Sequence, residues 1–479
     1  MSLPIDVVVM AAGKGTRMKS SLPKVLHRLG GRALLAHVTD CAARLSARQI
    51  IVVTGHGAEQ VEAACRHPDW QRFAEAGRPV PPDLKFARQE PQLGTGHAVQ
   101  QALPQLLDDG VTLVLSGDVP LIEAATLQAL LAESGGQRLA LLTLRLPDPT
   151  GYGRIVRAGL EASAQVRAIV EQKDASDAQR AIDEIYSGIM ALPTRLLRVW
   201  LERLDNHNAQ AEFYLTDIVK FAVADGVAVV AHRISDAPQV AGVNSPSQLA
   251  ALEREYQRRQ AETLMAQGVR LADPARFDLR GTLHCGQDVE IDVNCVFDGA
   301  VTLGNGVRIG PNCVVANAVI DDGAVLAAFT HIDGEQLGVR VGAGARIGPF
   351  ARLRPGAQLG AEVHIGNFVE IKNATLAPGA KANHLAYIGD ATVGERVNYG
   401  AGSITANYDG ANKHRTVIEA DVHVGSNCVL VAPVTLGAGG TVGAGSVITG
   451  NTPAGALTVA RGRQTSYANW ARPLKKATR

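Results

Sequence analysis

Neither sign of charge prevails in this sequence: 47 Lys and Arg stand against 46 Asp and Glu, for a formal net charge of +1. That balance excludes a global field able to steer the chain onto nucleic acid or an anionic membrane, so any anion must be bound locally. Aromatic residues are scarce as well, at 4%. Long apolar runs are missing. The stretch 5–12 is too short to span a bilayer and has no basic segment before it, so neither membrane insertion nor an export signal is expected. The six cysteines (Cys41, Cys65, Cys285, Cys295, Cys313 and Cys428) form no C-x-x-C pair and have no histidine at zinc-ligand spacing. That excludes a metal knot or a disulfide framework and points to a reducing, cytoplasmic setting.

Glycine, by contrast, is plentiful and unevenly placed. Of the 50 glycines, 29 fall in residues 281–460 and 20 in the longer stretch 1–280, so two architectures are expected in one chain of 479 residues. In the first half, aliphatic runs at 5–9, 50–54, 111–115, 139–144 and 227–230 alternate with amphipathic stretches. This rhythm predicts a mixed α/β domain whose strands are covered on both faces. Ser245-Pro246-Ser247-Gln248 then combines an N-cap, a proline at the first helical position and the partner of a capping box, and predicts a helix to about residue 267. Leu249, Leu252, Tyr256 and Leu264 form its apolar stripe, while Glu253, Arg254, Glu255, Arg258 and Arg259 are expected to stay in water. The expected division is an α/β domain over 1–244, a linking helix over 245–268 and a second domain over 269–479.

Beyond the helix, large apolar residues recur every sixth position. One run is Ile291, Phe297, Leu303, Ile309 and Val315; another is Ile347, Leu353, Leu359, Ile365 and Ile371; a third is Val424, Leu430, Leu436 and Val442. A period of six matches neither helix nor heptad. It predicts a parallel β-helix in which each flat side turns one large side chain inward and each corner takes a small residue, with three sides making a coil of about 18 residues. Interruptions at 322–337 and 407–416 are expected to leave this prism as loops.

The first strand runs directly into Met10-Ala11-Ala12-Gly13-Lys14-Gly15-Thr16-Arg17, with Leu22-Pro23-Lys24 following. Small residues let backbone N–H groups approach phosphate oxygens, and Arg17 and Lys24 can neutralise a polyphosphate. The spacing fits neither the P-loop nor the dinucleotide fingerprint, because Met18 stands where the third glycine of the latter belongs. A bare structural turn remains the alternative. Asp118, in Ser116-Gly117-Asp118-Val119-Pro120, leaves the C-terminal end of a buried strand, the edge at which α/β sheets bind ligands. One such carboxylate with an amide oxygen suffices for Mg²⁺, although a lone Asp there more often only caps a turn.

With Gln89 and Gln92-Leu93-Gly94-Thr95-Gly96-His97, these segments resemble the sugar-1-phosphate nucleotidyltransferases, whose signature is A-A-G-x-G-T-R-x-x-x-x-x-P-K. Gly151-Tyr152-Gly153-Arg154, Val170-Glu171-Gln172-Lys173-Asp174 and Gly242-Val243-Asn244 narrow the match. From about residue 7 to about 472 the chain is similar to the bacterial family of bifunctional N-acetylglucosamine-1-phosphate uridylyltransferases and glucosamine-1-phosphate N-acetyltransferases. The resemblance implies a Rossmann-like nucleotidyltransferase domain followed by a left-handed parallel β-helix. It implies acetyl transfer from acetyl-CoA to glucosamine-1-phosphate, then uridylyl transfer from UTP with release of pyrophosphate, supplying cell-wall and lipopolysaccharide precursors.

The resemblance also assigns residues. Met10, Ala11, Ala12, Gly13, Arg17 and Lys24 would cradle the triphosphate, Asp118 and Asn244 would hold Mg²⁺, Gln89, Gly94 and Thr95 would face the uracil, and Gly153 and Glu171 the sugar. Tyr186 departs from the family, which commonly has Asn there. In the second half, His384 would be the general base, with Glu370 to orient it. Arg354, Lys372, Tyr387, Asn398 and Lys413 would bind the sugar phosphate, and Ala401, Asn407, Tyr408, Ser426, Ala444 and Arg461 the acetyl-CoA. Asn383 stands where the family commonly has Gly. A homotrimer packed through the prism is implied, with sites formed from neighbouring chains. Two other readings stay open at this point: a single-activity enzyme whose prism is only structural, and a nucleotide-sugar sensor. The basic tail 472–476 is expected to be solvated.

Overall fold

The computed structural model describes residues 3–67, 70, 84–159, 161 and 164–475. It divides into two compact units, Met1–Glu262 with Leu279–Thr282 and Thr263–Asp278 with Leu283–Arg479.

The first unit is built on a nine-stranded sheet whose main path runs Val229–Arg233, Leu139–Arg145, Glu184–Pro193, Val111–Ser116, Ile5–Ala11, Gln49–Thr54, Leu84–Arg88. Ile5–Ala11 lies parallel between Gln49–Thr54 and Val111–Ser116, so three chain segments leave the sheet at one carboxyl edge. Val7, Val8, Val9, Ile50, Ile51, Val52, Leu113, Val114 and Leu115 are fully buried, because helices cover both faces of these strands. Glu184–Pro193 runs antiparallel to both its neighbours, and the pattern of short apolar runs did not mark it as a strand. A register shift between Tyr186 and Met190 interrupts its pairing and breaks the simple period.

The helix Pro246–Ala266 begins as expected, with Ser245 Oγ accepting from Gln248 N at 3.3 Å. Gln248 reaches back one residue further than a capping box requires and accepts from Asn244 N at 2.9 Å. Leu249, Leu252 and Tyr256 pack with Met18, Leu29, Leu34, Leu121 and Val243. Several of its charged residues do more than meet water. Glu253 accepts from Gly30 N at 2.8 Å, and Arg259 binds Glu123 and Asp236 at 2.9 Å. Gly30 has a φ of 55°, and a Cβ on it would stand 2.3 Å from the Tyr256 ring, so glycine alone permits this contact.

The second unit is the three-sided prism. Eleven parallel two- to four-residue strands, from Arg270–Leu271 to Leu457–Thr458, form one side. The other two are joined at Val314–Ile320: its residues Val314, Val315 and Ala316 pair with His331–Asp333, and Ala318, Val319 and Ile320 pair with Val339–Val341. Register stacks Phe297, Val315, Ile332, Leu353, Ile371 and Ile388 in one column, each fully buried. Every member of the three six-residue runs is likewise no more than 3% exposed. Burial of one branched side chain per strand is what lets such short strands persist.

The interruption expected at 322–337 is mostly wall. Val325–Leu326 and His331–Asp333 continue the ladders, and only the turn from Gly334 to Gly338 departs. Small and polar residues there hide the period. Residues 407–415 do leave the prism, closed by a bridge between Tyr408 and Lys413 and by the Asp409–His414 pair at 2.7 Å.

Candidate functional site

At the sheet's carboxyl edge the loop after Ile5–Ala11 passes into a short turn, Thr16–Met18. Ala11 and Ala12 are buried, Met10 is half-buried, and a Cβ on Gly13 would meet nothing within 4 Å. Gly15 has a φ of 59°, and a side chain there would stand 2.8 Å from Lys24 Cβ, so glycine lets the loop close over Lys24. Arg17 is exposed and makes no hydrogen bond or ion pair with the described residues.

The Lys24 ammonium bridges two other segments. It donates to the Asp118 carboxylate and, at 3.1 Å, to Asn244 Oδ1, although these partners lie 94 and 220 positions away. Ser116 Oγ donates to the second Asp118 oxygen at 2.7 Å, and Val243 N donates to the Asp118 carbonyl at 3.0 Å. Two hard oxygen donors thus converge on one cation, in a place where both Asp118 and Lys24 side chains are less than one-fifth exposed. A carboxylate and an amide oxygen are the donor set a divalent cation such as Mg²⁺ takes, with water or phosphate oxygens completing it. The residues fit that group, and the ammonium marks the spot.

Gln89 is buried at 3% exposure and donates from Nε2 to Gly94 O at 2.8 Å, so its amide orders the turn that carries Gly94 and Thr95. Gly94 has a φ of 110°, and a Cβ there would approach Phe213 O to 2.6 Å. Thr95 Oγ1 accepts from Leu215 N at 3.0 Å. Gly153, Glu171 and Tyr186 come together: Tyr186 pairs with Gly153, and a Cβ on Gly153 would stand 3.6 Å from Glu171 Oε1. Burial raises the Glu171 carboxyl pKa, against a hydrogen bond from Thr216 Oγ1 at 3.0 Å. Burial, with the Glu171 carboxylate adding to it, pushes Tyr186 well above the usual phenol range. Arg154, in the same motif, is structural: fully buried, it holds the Tyr152 carbonyl and Gln172 Oε1.

On the prism, Arg354 and Lys372 lie in successive coils on the side that also carries Glu370 and Tyr387. The nearby guanidinium of Arg354, then burial and the Lys413 ammonium, hold the Lys372 pKa below the usual range. Three cationic side chains gathered in this way can neutralise a dianion such as a phosphate. Gly389 leaves room for Tyr387, whose hydroxyl would stand 2.2 Å from a Cβ there. Asn398 falls on a different side, in register with Lys381 and His423.

His384 lies at the corner between these two sides. Glu370 makes no hydrogen bond to it among the described residues. That carboxylate is committed to Arg354 at 2.8 Å and lies 3.7 Å from Arg352. The partner of His384 Nδ1 is Asn367 Oδ1, at 2.9 Å. Asn383, beside His384 in sequence, has its Oδ1 buried without a hydrogen-bond partner among the described residues.

Backbone bonds then link the corner coil to coil: Leu385 N to Asn367 O, Gly402 N to His384 O, Asn427 N to Ala401 O and Gly445 N to Ser426 O. Ala401, Ser426 and Ala444 therefore continue the column that begins at Asn367 and His384, and Arg461 donates to Ala444 O at 2.7 Å. Asn407 donates its amide to the buried Asp390 carboxylate, and the Tyr408 hydroxyl donates to Gly410 O at 2.6 Å, so both shape the loop that presents Lys413.

Four supporting residues were given no role by the sequence reading: Ser116, Thr216, Asn367 and Asp390. Ser116 sits two positions from its partner and was open to notice; the other three meet theirs only through the fold.

Comparison with known proteins gives two domain matches: the MobA-like NTP transferase domain over residues 7–182 and the bacterial transferase hexapeptide, six repeats, over residues 338–373. The chain is 79% identical over 473 residues to "Bifunctional protein GlmU" of Polaromonas naphthalenivorans strain CJ2, covering 99% of this chain and 98% of that one. It is 70% identical to the protein of the same name from Albidiferax ferrireducens, covering 98% and 100%, and 55% identical to that of Azoarcus sp. strain BH72, again covering 98% and 100%. With a Rossmann-like nucleotidyltransferase unit ahead of a left-handed hexapeptide β-helix, the chain belongs to the bifunctional GlmU family.

Proposed function

We propose that the two units carry the two halves of UDP-N-acetylglucosamine synthesis. The prism moves the acetyl group of acetyl-CoA onto the amine of glucosamine-1-phosphate. The α/β unit then joins the product to the uridylyl group of UTP and releases pyrophosphate. The observation that carries this reading is the presence of two separate polar constellations, Lys24–Asp118–Asn244 in one unit and His384 with Arg354, Lys372 and Lys413 in the other.

In the first, the sugar phosphate attacks the α-phosphate of UTP in line. The loop from Met10 to Gly13 receives the triphosphate on its backbone N–H groups, and Arg17 and Lys24 neutralise the charge that spreads over the phosphate oxygens. Asp118 and Asn244 would hold Mg²⁺, which when bound supplies further charge neutralisation. Lys24 then turns from Asp118 toward phosphate. Gln89, Gly94 and Thr95 shape the base pocket, and Gly153 and Glu171 the sugar pocket.

In the second, the amine nitrogen forms a bond to the thioester carbonyl, the C–S bond breaks and coenzyme A leaves as the thiol. His384 takes the amine proton. Arg354, Lys372, Tyr387 and Lys413 hold the phosphate. Ala401, Ser426, Ala444 and Arg461 form the acetyl-CoA track, with Asn407 and Tyr408 in the bordering loop. Asn398 faces away from that cation cluster, which favours a site completed by a second copy. An exposed ladder of Phe329, Phe350 and Phe368, stacked at 5.0 and 5.3 Å beside the His384 corner, offers that copy an apolar contact, and three flat sides favour a homotrimer. No helix among the described residues is long and apolar enough to cross a membrane.

The purified chain, given glucosamine-1-phosphate, UTP and Mg²⁺, releases pyrophosphate only when acetyl-CoA is added, and free thiol appears first. Pyrophosphate release at the same rate without acetyl-CoA would contradict the reading.

A further inference from the structure

A histidine that accepts a proton at one ring nitrogen must carry its own proton on the other. Imidazole in a histidine side chain, left alone in water, favours the form with hydrogen on Nε2, and a partner at Nδ1 is needed to reverse that preference. Glu370 would be the obvious partner, but it is spent on Arg354. What stands at Nδ1 is Asn367 Oδ1, at 2.9 Å.

We propose that Asn367 is the positioning residue of the acetyl-transfer site: its amide oxygen accepts from His384 Nδ1–H and so keeps Nε2 as the basic nitrogen. The inference rests on His384 being the base. Asn367 and His384 are paired in adjacent coils, at the same place on strands His364–Asn367 and Lys381–His384. Leu385 N donates to Asn367 O at 3.0 Å, which fixes the two corners against one another. The residues that follow them, Phe368 and Leu385, hold φ values of 58° and 49°, a left-handed conformation costly for bulky side chains. Gly366 adds a third constraint, since a Cβ there would stand 1.9 Å from Asn383 O. The corner is thus built to one spacing.

An amide orders the ring without placing a charge on it. The charged and titratable groups on and next to the strands around this corner include His364, Lys381 and Arg346 on the side of His384, with Glu370, Arg352, Arg354, Lys372 and Tyr387 across the turn. Burial first, then Arg346, Lys381 and His384, lowers the His364 pKa, so the surroundings on that side are cationic. A carboxylate in place of the amide would favour the imidazolium and withdraw the base at neutral pH.

The test uses the full chain with Asn367→Ala, Asn367→Asp and His384→Ala, following both half-reactions. An unchanged thermal midpoint and circular dichroism spectrum report that the prism of each variant is folded, and uridylyl transfer reports the other unit. Asn367→Ala lowers kcat for acetyl transfer at least about tenfold with little change in KM for the sugar phosphate. Asn367→Asp moves the acidic limb of the acetyl-transfer profile upward by about one pH unit, and rate returns at high pH. Ring-nitrogen NMR of His384 shows the proton on Nδ1 in the parent and on Nε2 in Asn367→Ala. If the limb stays in place and the tautomer is unchanged while His384→Ala still abolishes acetyl transfer, the positioning role is wrong and the base assignment stands. If His384→Ala acetylates normally, the base assignment falls and this inference with it.

Discussion

The two constellations are assembled in opposite ways. In the α/β unit, Lys24, Asp118 and Asn244 come from places 94 and 220 positions apart and meet only because parallel strands deliver their loops to one edge. In the prism, Asn367 and His384 are 17 positions apart, one coil, and the repeat that makes the wall also sets the distance between them. A sheet gathers distant residues at a single edge and leaves its loops free to vary. A solenoid gathers near residues in columns and gives up that freedom, because every coil is tied to the one before it.

This contrast can be sharpened by substitution. The largest effect is expected from Lys24→Ala, which removes the one cation touching both Asp118 and Asn244: uridylyl transfer falls about 10²- to 10³-fold. Acetyl transfer is unchanged in a two-assay comparison. Lys372→Ala comes next. Loss of one charge-assisted contact raises KM for glucosamine-1-phosphate about tenfold to a hundredfold, leaving uridylyl transfer alone.

A smaller effect tests the phosphate loop. Gly13 faces open space, so Gly13→Ala leaves the thermal midpoint within about 1 °C, yet raises KM for UTP about tenfold because the new methyl occupies the phosphate's approach. Equal loss of stability would show that the space is not a binding cradle. The smallest effect concerns the thiols. Burial pushes Cys41, Cys65, Cys285 and Cys313 up to about 12, so at pH 8 they stay protonated and react slowly. Brief iodoacetamide treatment at that pH leaves both activities intact, as counted by adduct mass and the paired assays.

The same contrast explains what could be read in the sequence. The prism was legible almost to the residue, because one inward side chain every sixth position leaves a mark that Phe297, Leu353 and Leu430 all repeat. Its interruption at 322–337 misled, since Val325–Leu326 and His331–Asp333 belong to the wall but carry few large apolar residues in phase. In the α/β unit, central strands such as Val111–Ser116 were plain, whereas Glu184–Pro193 was hidden by the irregularity after Tyr186. Site chemistry was legible where a motif stands in one stretch, as at Gly13 to Arg17. The pairing of His384 with Asn367 was not. Glu370 and Asn367 lie three positions apart and both can bind an imidazole; the fold pairs Glu370 with Arg354 and Asn367 with His384.

The central claim is that two independent reaction sites share one chain, and paired assays of Asp118→Asn and His384→Ala test it most directly. The account predicts crossed results: Asp118→Asn loses uridylyl transfer and keeps acetyl transfer, while His384→Ala does the reverse, by about 10²- to 10³-fold in each case. Loss of both activities from either substitution, in protein that stays folded and keeps its assembly, would contradict it.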